Sequence, residues 1–331
     1  MKKMFLLGLV AASMASCSNN EVIDANEAIS RSISFDTFVN KATRAGDDVL
    51  LTSLKEFYVF GYNGTGTVFD NVSVVGSQTD SENGSWTVGE QVLWDTQVYK
   101  FAAYANGNGD ATPDDSDKLS GVSFANEKLV IIEYDADGTK DLIVANSTTR
   151  DNTVEFNQEA VDLSFSHLLS RIAITFRNAS EPNLSVDINS IILTVKNKGT
   201  YTTDAWDLGG QNVESKSYAI SNITDLGKGS SSSAVVFYLT PQQLSNGETI
   251  SFTAIFKDTE DNVIESEDYV IKLNKGKVNS ALLGAWDKGI AYSYTINLPS
   301  SPKYINFNVQ AVTPWGNAQT VTISGKEDRN N

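Results

Sequence analysis

The chain has 331 residues, with 41 Asp and Glu against 25 Lys and Arg for a formal charge of −16, and a single cysteine and a single histidine. One cysteine rules out an internal disulfide and, with one histidine, a zinc site of the usual Cys/His kind, while the acidic balance repels phosphate backbones and argues against nucleic acid as a partner. The length suggests two domains of ordinary size, each with its own core.

Met1-Lys2-Lys3 is a short basic start, residues 4–12 are uncharged and mostly apolar, and Ser13-Met14-Ala15-Ser16 leads through small side chains to Cys17. The apolar run falls far short of the roughly 20 residues that a spanning helix needs, so it reads as an export signal. A cysteine closing such a signal predicts bacterial lipoprotein processing: residues 1–16 leave, and the Cys17 thiol is acylated and becomes the membrane anchor. An ordinary cleaved signal with an incidental cysteine is the alternative. Loss of Lys2 and Lys3 takes the formal charge from −16 to −18.

Residues 18–26 are polar and mildly acidic and read as a tether, and residues 33–38 alternate apolar and polar as a strand does. Residues 41–48 form a polar link that carries Arg44, either a plain loop arginine or a site open to a trypsin-like protease. Strands are then expected at 54–62, 68–75, 84–88, 91–94 and 98–104, with Asn63-Gly64-Thr65-Gly66 as a hairpin turn. Residues 106–117 read as a loop, followed by strands at 129–134 and 142–145 with a turn at Asp135-Ala136-Asp137-Gly138. The most strongly patterned stretch is 161–176, VDLSFSHLLSRIAITF, and the second domain is placed just before it. Further strands are expected at 191–195, 218–220, 234–239, 249–256, 263–273, 292–298, 304–312 and 320–324. Short strands at this spacing predict an all-β chain built of sandwiches.

Few residues suggest chemistry. His167 lies beside Ser166 and near Ser170, but neighbours along a strand point to opposite faces, which separates Ser166 from His167 and speaks against a nucleophile pair. Asp110, Asp114, Asp115 and Asp117 lack the spacing of a calcium loop. Trp86, Trp94, Trp206, Trp286 and Trp315 could stack sugars but are expected in cores and corners. No catalytic residue, metal site or cofactor is expected, and the chain is not read as an enzyme.

Several segments in order along the chain resemble the fimbrillin family of Bacteroidales, subunits of lipoprotein-derived pili. They are Ile33-Ser34-Phe35 followed by Thr43-Arg44-Ala45, the run FYVFGY at 57–62, Trp94 with YKFAAY at 99–104, and DLIVA at 141–145. LSFSHLLSRIAI at 163–174, Tyr238-Leu239-Thr240-Pro241-Gln242, residues 286–298 and Trp315 continue the pattern. The resemblance implies two transthyretin-like β-sandwich domains in tandem after a lipoprotein signal peptide: a tether and removable strand at 17–44, then domains at 45–158 and 159–331. It also implies an outer-membrane route, cleavage between Arg44 and Ala45 that frees the strand at 33–39, and polymerisation by strand exchange. The donor would be the region 304–324, with Ile305, Phe307 and Val309 facing the acceptor groove; these residues could equally form the last strand of their own domain. The partners so implied are other pilus subunits and, through the lipid, the outer membrane. The alternative is a permanently lipidated surface protein that anchors a pilus or binds a glycan or host protein.

Overall fold

The computed structural model describes residues 32–39, 54–76, 86–108, 118–125, 127–154, 159–180, 183–202, 205–209, 214–278, 281–299, 306–312 and 325–326. Within them the chain is all-β. In order, the strands are β1 Phe35–Val39, β2 Glu56–Tyr62, β3 Thr67–Gly76, β4 Trp86–Val88, β5 Val98–Asn108, β6 Val122–Ala125, β7 Lys128–Asp135, β8 Lys140–Asp151 and β9 Val161–His167. There follow β10 Ser170–Ala179, β11 Ser185–Lys196, β12 Lys198–Thr202, β13 Ala205–Asp207, β14 Ser215–Ile220, β15 Ile223–Leu226, β16 Val235–Leu239, β17 Gln242–Gln243 and β18 Thr249–Lys257. The last are β19 Val263–Lys272, β20 Lys277–Val278, β21 Ala281–Leu282, β22 Ala285–Trp286, β23 Ala291–Pro299, β24 Asn306–Val312 and β25 Gly325–Lys326.

The first half is organised on a seven-stranded sheet in the order β1-β9-β8-β5-β2-β3-β4. Phe57, Val59, Phe101, Ala103, Val161, Leu163 and Phe165 fill its inner face, while Tyr58, Phe60, Ala102, Tyr104, Leu142 and Val144 lie in a second core on its outer face. Burial on both faces explains why β2 is a continuous aromatic and aliphatic run instead of an alternating one. The sheet curls until edge strand β1 lies over β3, where the rings of Phe35 and Phe69 sit 5.8 Å apart. The turn expected at 63–66 joins β2 to β3, with the Asn63 side-chain oxygen accepting the backbone N–H groups of Thr65 and Gly66.

The outer core is closed by a four-stranded sheet, β13-β12-β7-β6, assembled from distant parts of the chain. β12 leaves the second half to pair with β7, from Lys198↔Asp135 to Thr202↔Val130, and buries Tyr201 against the first half. The second half is a sandwich of the sheet β16-β10-β23-β24-β25 on the sheet β14-β11-β18-β19. β18 alternates strictly between buried and half-buried positions, the signature of a strand with one face in a core, and its Phe252 meets Phe176 of β10 across the gap at 5.0 Å.

Pairing places β9, expected to open the second half, in the first sheet beside β8 and β1. The chain passes to the second half through Leu168 and Leu169, both buried. β6, β12, β13 and β15, and the two-residue strands β17, β20, β21, β22 and β25, lie outside the strands expected from the sequence. The strand expected at 91–94 is reduced to a single bridge at Leu93, and that expected at 320–324 lies outside the described residues.

Candidate functional site: the first strand and its groove

β1 occupies one edge of the curled sheet. It runs parallel to β9, from Phe35↔Val161 to Val39↔Phe165, and the Val161 N–H donates to the Ser34 carbonyl at 2.8 Å. Just before it, the Ile33 N–H donates to the Val92 carbonyl at 2.8 Å, and Ser32 bridges Leu93 in the antiparallel sense. The segment therefore lies in a slot between β9 and residues 92–93. Two side chains key it in place. Ile33 and Phe35 are buried in the inner core, and Phe35 stands edge-on to Phe57 and Phe101 as well as Phe69. Ser34 between them is half-buried, and Asp36 next to Phe35 is exposed, as alternation along a strand requires. Burying two such side chains contributes about 1.5–3 kcal/mol each. Withdrawing the strand would leave an apolar slot and a row of unpaired backbone groups on β9, both costly to expose.

The other expected assembly element, β24, lies in the second half. It pairs antiparallel with β23, from Ala291↔Val312 to Asn297↔Asn306, which places Phe307 opposite Ile296 and Val309 opposite Tyr294. Among the described strands it pairs otherwise only with β25, at Asn306↔Lys326 and Phe307↔Gly325. Cys17, Arg44, Ala45 and Ile305 lie outside the described residues, as do Trp315 and the acidic stretch at 110–117.

His167 pairs with Asp141, Nδ1 to Oδ2 at 2.6 Å. Ser166 and Ser170 donate instead to the backbone carbonyls of Val144 and Asp287, so the three residues do not form one constellation. The four described tryptophans pack. Trp86 lies on Phe57 at 4.9 Å and Trp94 on Tyr99 at 4.8 Å. Trp206 donates its indole N–H to the Leu168 carbonyl at 2.9 Å, and Trp286 donates to the Tyr294 hydroxyl at 2.9 Å.

The seam between the halves is a feature that sequence reading missed. At the exit of β11, the buried Gln242 donates to the Lys196 carbonyl at 3.0 Å and accepts the Lys196 N–H at 3.2 Å, like a rung of sheet made by a side chain. The next residue, Asn197, accepts the Ala136 N–H at its backbone carbonyl, and its amide donates to Asp135. The turn from β7 to β8 is gripped in turn: Tyr218 and Lys216 both donate to the Ala136 carbonyl, at 2.7 and 3.0 Å, and the Tyr238 N–H donates to the Gly138 carbonyl. Gly138 has φ +93° and lies against the Tyr218 and Phe237 rings. The signals were present as Asp-Ala-Asp-Gly and Thr-Pro-Gln, but they look like ordinary turns until the partner strand is known. Burial pushes the Tyr218 hydroxyl well above its ordinary pKa, with Asp135 and Asp137 adding to the shift.

A profile of the fimbrillin-like family matches residues 43–315. The fimbrium subunit Fim1C of Phocaeicola vulgatus is 25% identical over a 237-residue alignment that covers 62% of this chain and 62% of that protein, so the chain spans less than two thirds of the curated relative it matches. Among solved structures, a candidate cell adhesion protein of Bacteroides uniformis aligns at 16% identity and a TM-score of 0.47, covering 86% of this chain and 99% of the other. The fimbrial anchor protein Mfa2 of Porphyromonas gingivalis aligns at 11% identity and a TM-score of 0.31, covering 87% of this chain and 99% of the other. With the profile spanning most of its length, the chain belongs to the fimbrillin-like family.

Proposed function

We propose that the protein is a structural subunit of a surface fimbrium, exported as a lipoprotein through Cys17, cut between Arg44 and Ala45, and polymerised by strand exchange at the outer membrane for adhesion. The observation that carries this reading is the seating of β1. It is an edge strand, it enters the core through Ile33 and Phe35, and its far end at Val39 lies five residues before Arg44. Cleavage after Arg44 would free the strand at its C-terminal end, so that its departure needs no other part of the sheet to open. The vacated slot has the shape and chemistry to take another extended segment, with backbone pairing supplying affinity and the Phe35 position supplying selectivity. The region that contains Ile305, Phe307 and Val309 is the proposed donor, and other subunits of the fimbrium are the proposed partners.

The test is the mature N-terminus, read by mass spectrometry on sheared surface material and on the outer-membrane fraction. A start at Ala45 in sheared material is expected. Acylated Cys17 found only in the membrane fraction would instead identify a permanent anchor or independent binding lipoprotein and end the strand-exchange reading. Arg44→Ala should leave the melting temperature of the unprocessed chain unchanged and abolish polymers; normal fibres from that variant would be equally decisive against cleavage there.

A further inference from the structure

Among the described strands only two pairings are parallel, β1 with β9 and β10 with β23; every other pairing is antiparallel. We propose that the parallel pair β10–β23 is a mechanical clamp: tension between neighbouring subunits shears it along its whole length, and it sets the force that a subunit withstands. The proposal rests on the strand-exchange reading for where the tension enters and leaves.

The path follows from the registers. A C-terminal donor strand that replaces β1 in the same sense is tethered to its own subunit at its first residue, which lies at the Val161 end of β9. Tension draws it that way, while β9 is held at its other end through His167. β9 and β10 do not pair with each other, and only Leu168 and Leu169 separate them. The joint is bonded on both sides. The Leu168 N–H donates to the Leu142 carbonyl at 2.9 Å, the Gly289 N–H to the Leu169 carbonyl at 2.9 Å, and the Arg171 N–H to the Ile290 carbonyl at 3.0 Å. The pull thus enters β10 at Ser170.

Once the region from Ile305 onward has been donated to the neighbour, the pull leaves through the C-terminal end of β23. β10 and β23 run in register from Arg171↔Ala291 to Ala179↔Pro299, so the start of one strand and the end of the other are drawn in opposite directions. Strands loaded this way slide, and all the backbone bonds between them must give together; strands pulled apart from one end open one rung at a time. The clamp is also dry. Ile172, Ile174 and Phe176 from β10 and Tyr292, Tyr294, Ile296 and Leu298 from β23 are buried in the same core, which keeps water from competing for the rungs as they strain. If β24 instead stays on β23 and the pull leaves through Val312, it emerges opposite Ala291, at the end where β10 begins, and the clamp is peeled. Shear therefore accompanies donation of β24 and no other arrangement.

The experiment is single-molecule pulling on the full chain in a Cys17→Ser background, with handles placed by R171C and N297C in one variant and by R171C and K288C in the other. Arg171 and Asn297 are half-exposed and Lys288 is exposed, so the three positions accept handles. The first variant loads β10 and β23 in shear and the second peels them from one end. Unfolding forces severalfold higher in the first variant at equal pulling speed are expected, and equal forces overturn the clamp. Should N297C fail to match the parent's melting temperature, T295C replaces it in the same geometry. The readout needs no polymer, so it judges the clamp independently of the mature N-terminus, which judges strand exchange.

Discussion

The ring of Phe35 meets that of Phe101 edge-on, with centroids 5.7 Å apart and planes at 84°, so a residue of the sheet's outermost strand sits at the middle of the first core. Phe35→Ala should lower the unfolding free energy of the unprocessed chain by about 3–5 kcal/mol. Urea titration of parent and variant measures the loss. If the chain is cut after Arg44 and the strand leaves, as proposed, both proteins become identical and the difference should vanish. A variant that matches its parent before cutting would show that the strand carries no weight in the core.

Gly138 is held at φ +93°, and a Cβ there would meet the Tyr218 ring at 2.9 Å and the Phe237 ring at 3.1 Å. Gly138→Ala therefore combines a disfavoured backbone with a steric clash at the seam, and should cost about 1–3 kcal/mol. Calorimetry of the full chain checks it, and a melting temperature equal to the parent's would show that the turn can move away from both rings.

Gln242 satisfies both backbone groups of Lys196 in a place where water has little access. Gln242→Ala removes both bonds and leaves the carbonyl only the long contact from the Thr240 hydroxyl at 3.5 Å, at an expected cost of about 1–3 kcal/mol. Gln242→Glu keeps the size and the acceptor but loses the donor, and places a carboxylate against the Lys196 carbonyl, so it should be no better tolerated. Denaturant midpoints for the two variants decide the point.

Burial raises the Tyr104 and Tyr292 hydroxyls to about 12, and it holds those of Tyr134, Tyr218 and Tyr294 well above their ordinary value. In the unfolded chain these phenols ionise near the reference value of about 10. Because the folded pKa values are the higher ones, the stabilisation is complete below about pH 10 and is lost as the pH climbs through the folded values. Urea midpoints should fall steadily between about pH 10 and 12, and tyrosinate absorbance should show a late group of phenols that ionise as the protein unfolds. Midpoints flat across that window would contradict this.

What the sequence disclosed follows the range of each interaction. Alternation such as that of Leu163 and Phe165 depends on one strand and one core, and it was plain. The paired runs at 57–62 and 99–104 were legible as strands from their aromatic and β-branched content, without alternation, because their two faces enter separate cores. β12 was not, because Lys198-Gly199-Thr200-Tyr201-Thr202 has no apolar pattern of its own; it becomes a strand by pairing with β7 across more than sixty positions of sequence. His167 was correctly separated from Ser166 by strand geometry, yet its partner Asp141 is 26 residues away on another strand, and no local spacing announces it. The slot around β1 was suggested by Ile33 and Phe35, but its walls come from β2, β3 and β5, which only the curl of the sheet brings together.

The four-stranded sheet shared by the two halves also governs the order of events at birth. A chain that emerges from its N-terminus has completed β7 long before β12 exists to pair with that strand's open edge. That edge, and the place of Tyr201 beside Ile131 in the outer core, stay unfilled until some seventy further residues have appeared. Such a nascent chain profits from a chaperone while that edge is open, and its early half is completed only by the late one: the final chapter is required before the first can be closed.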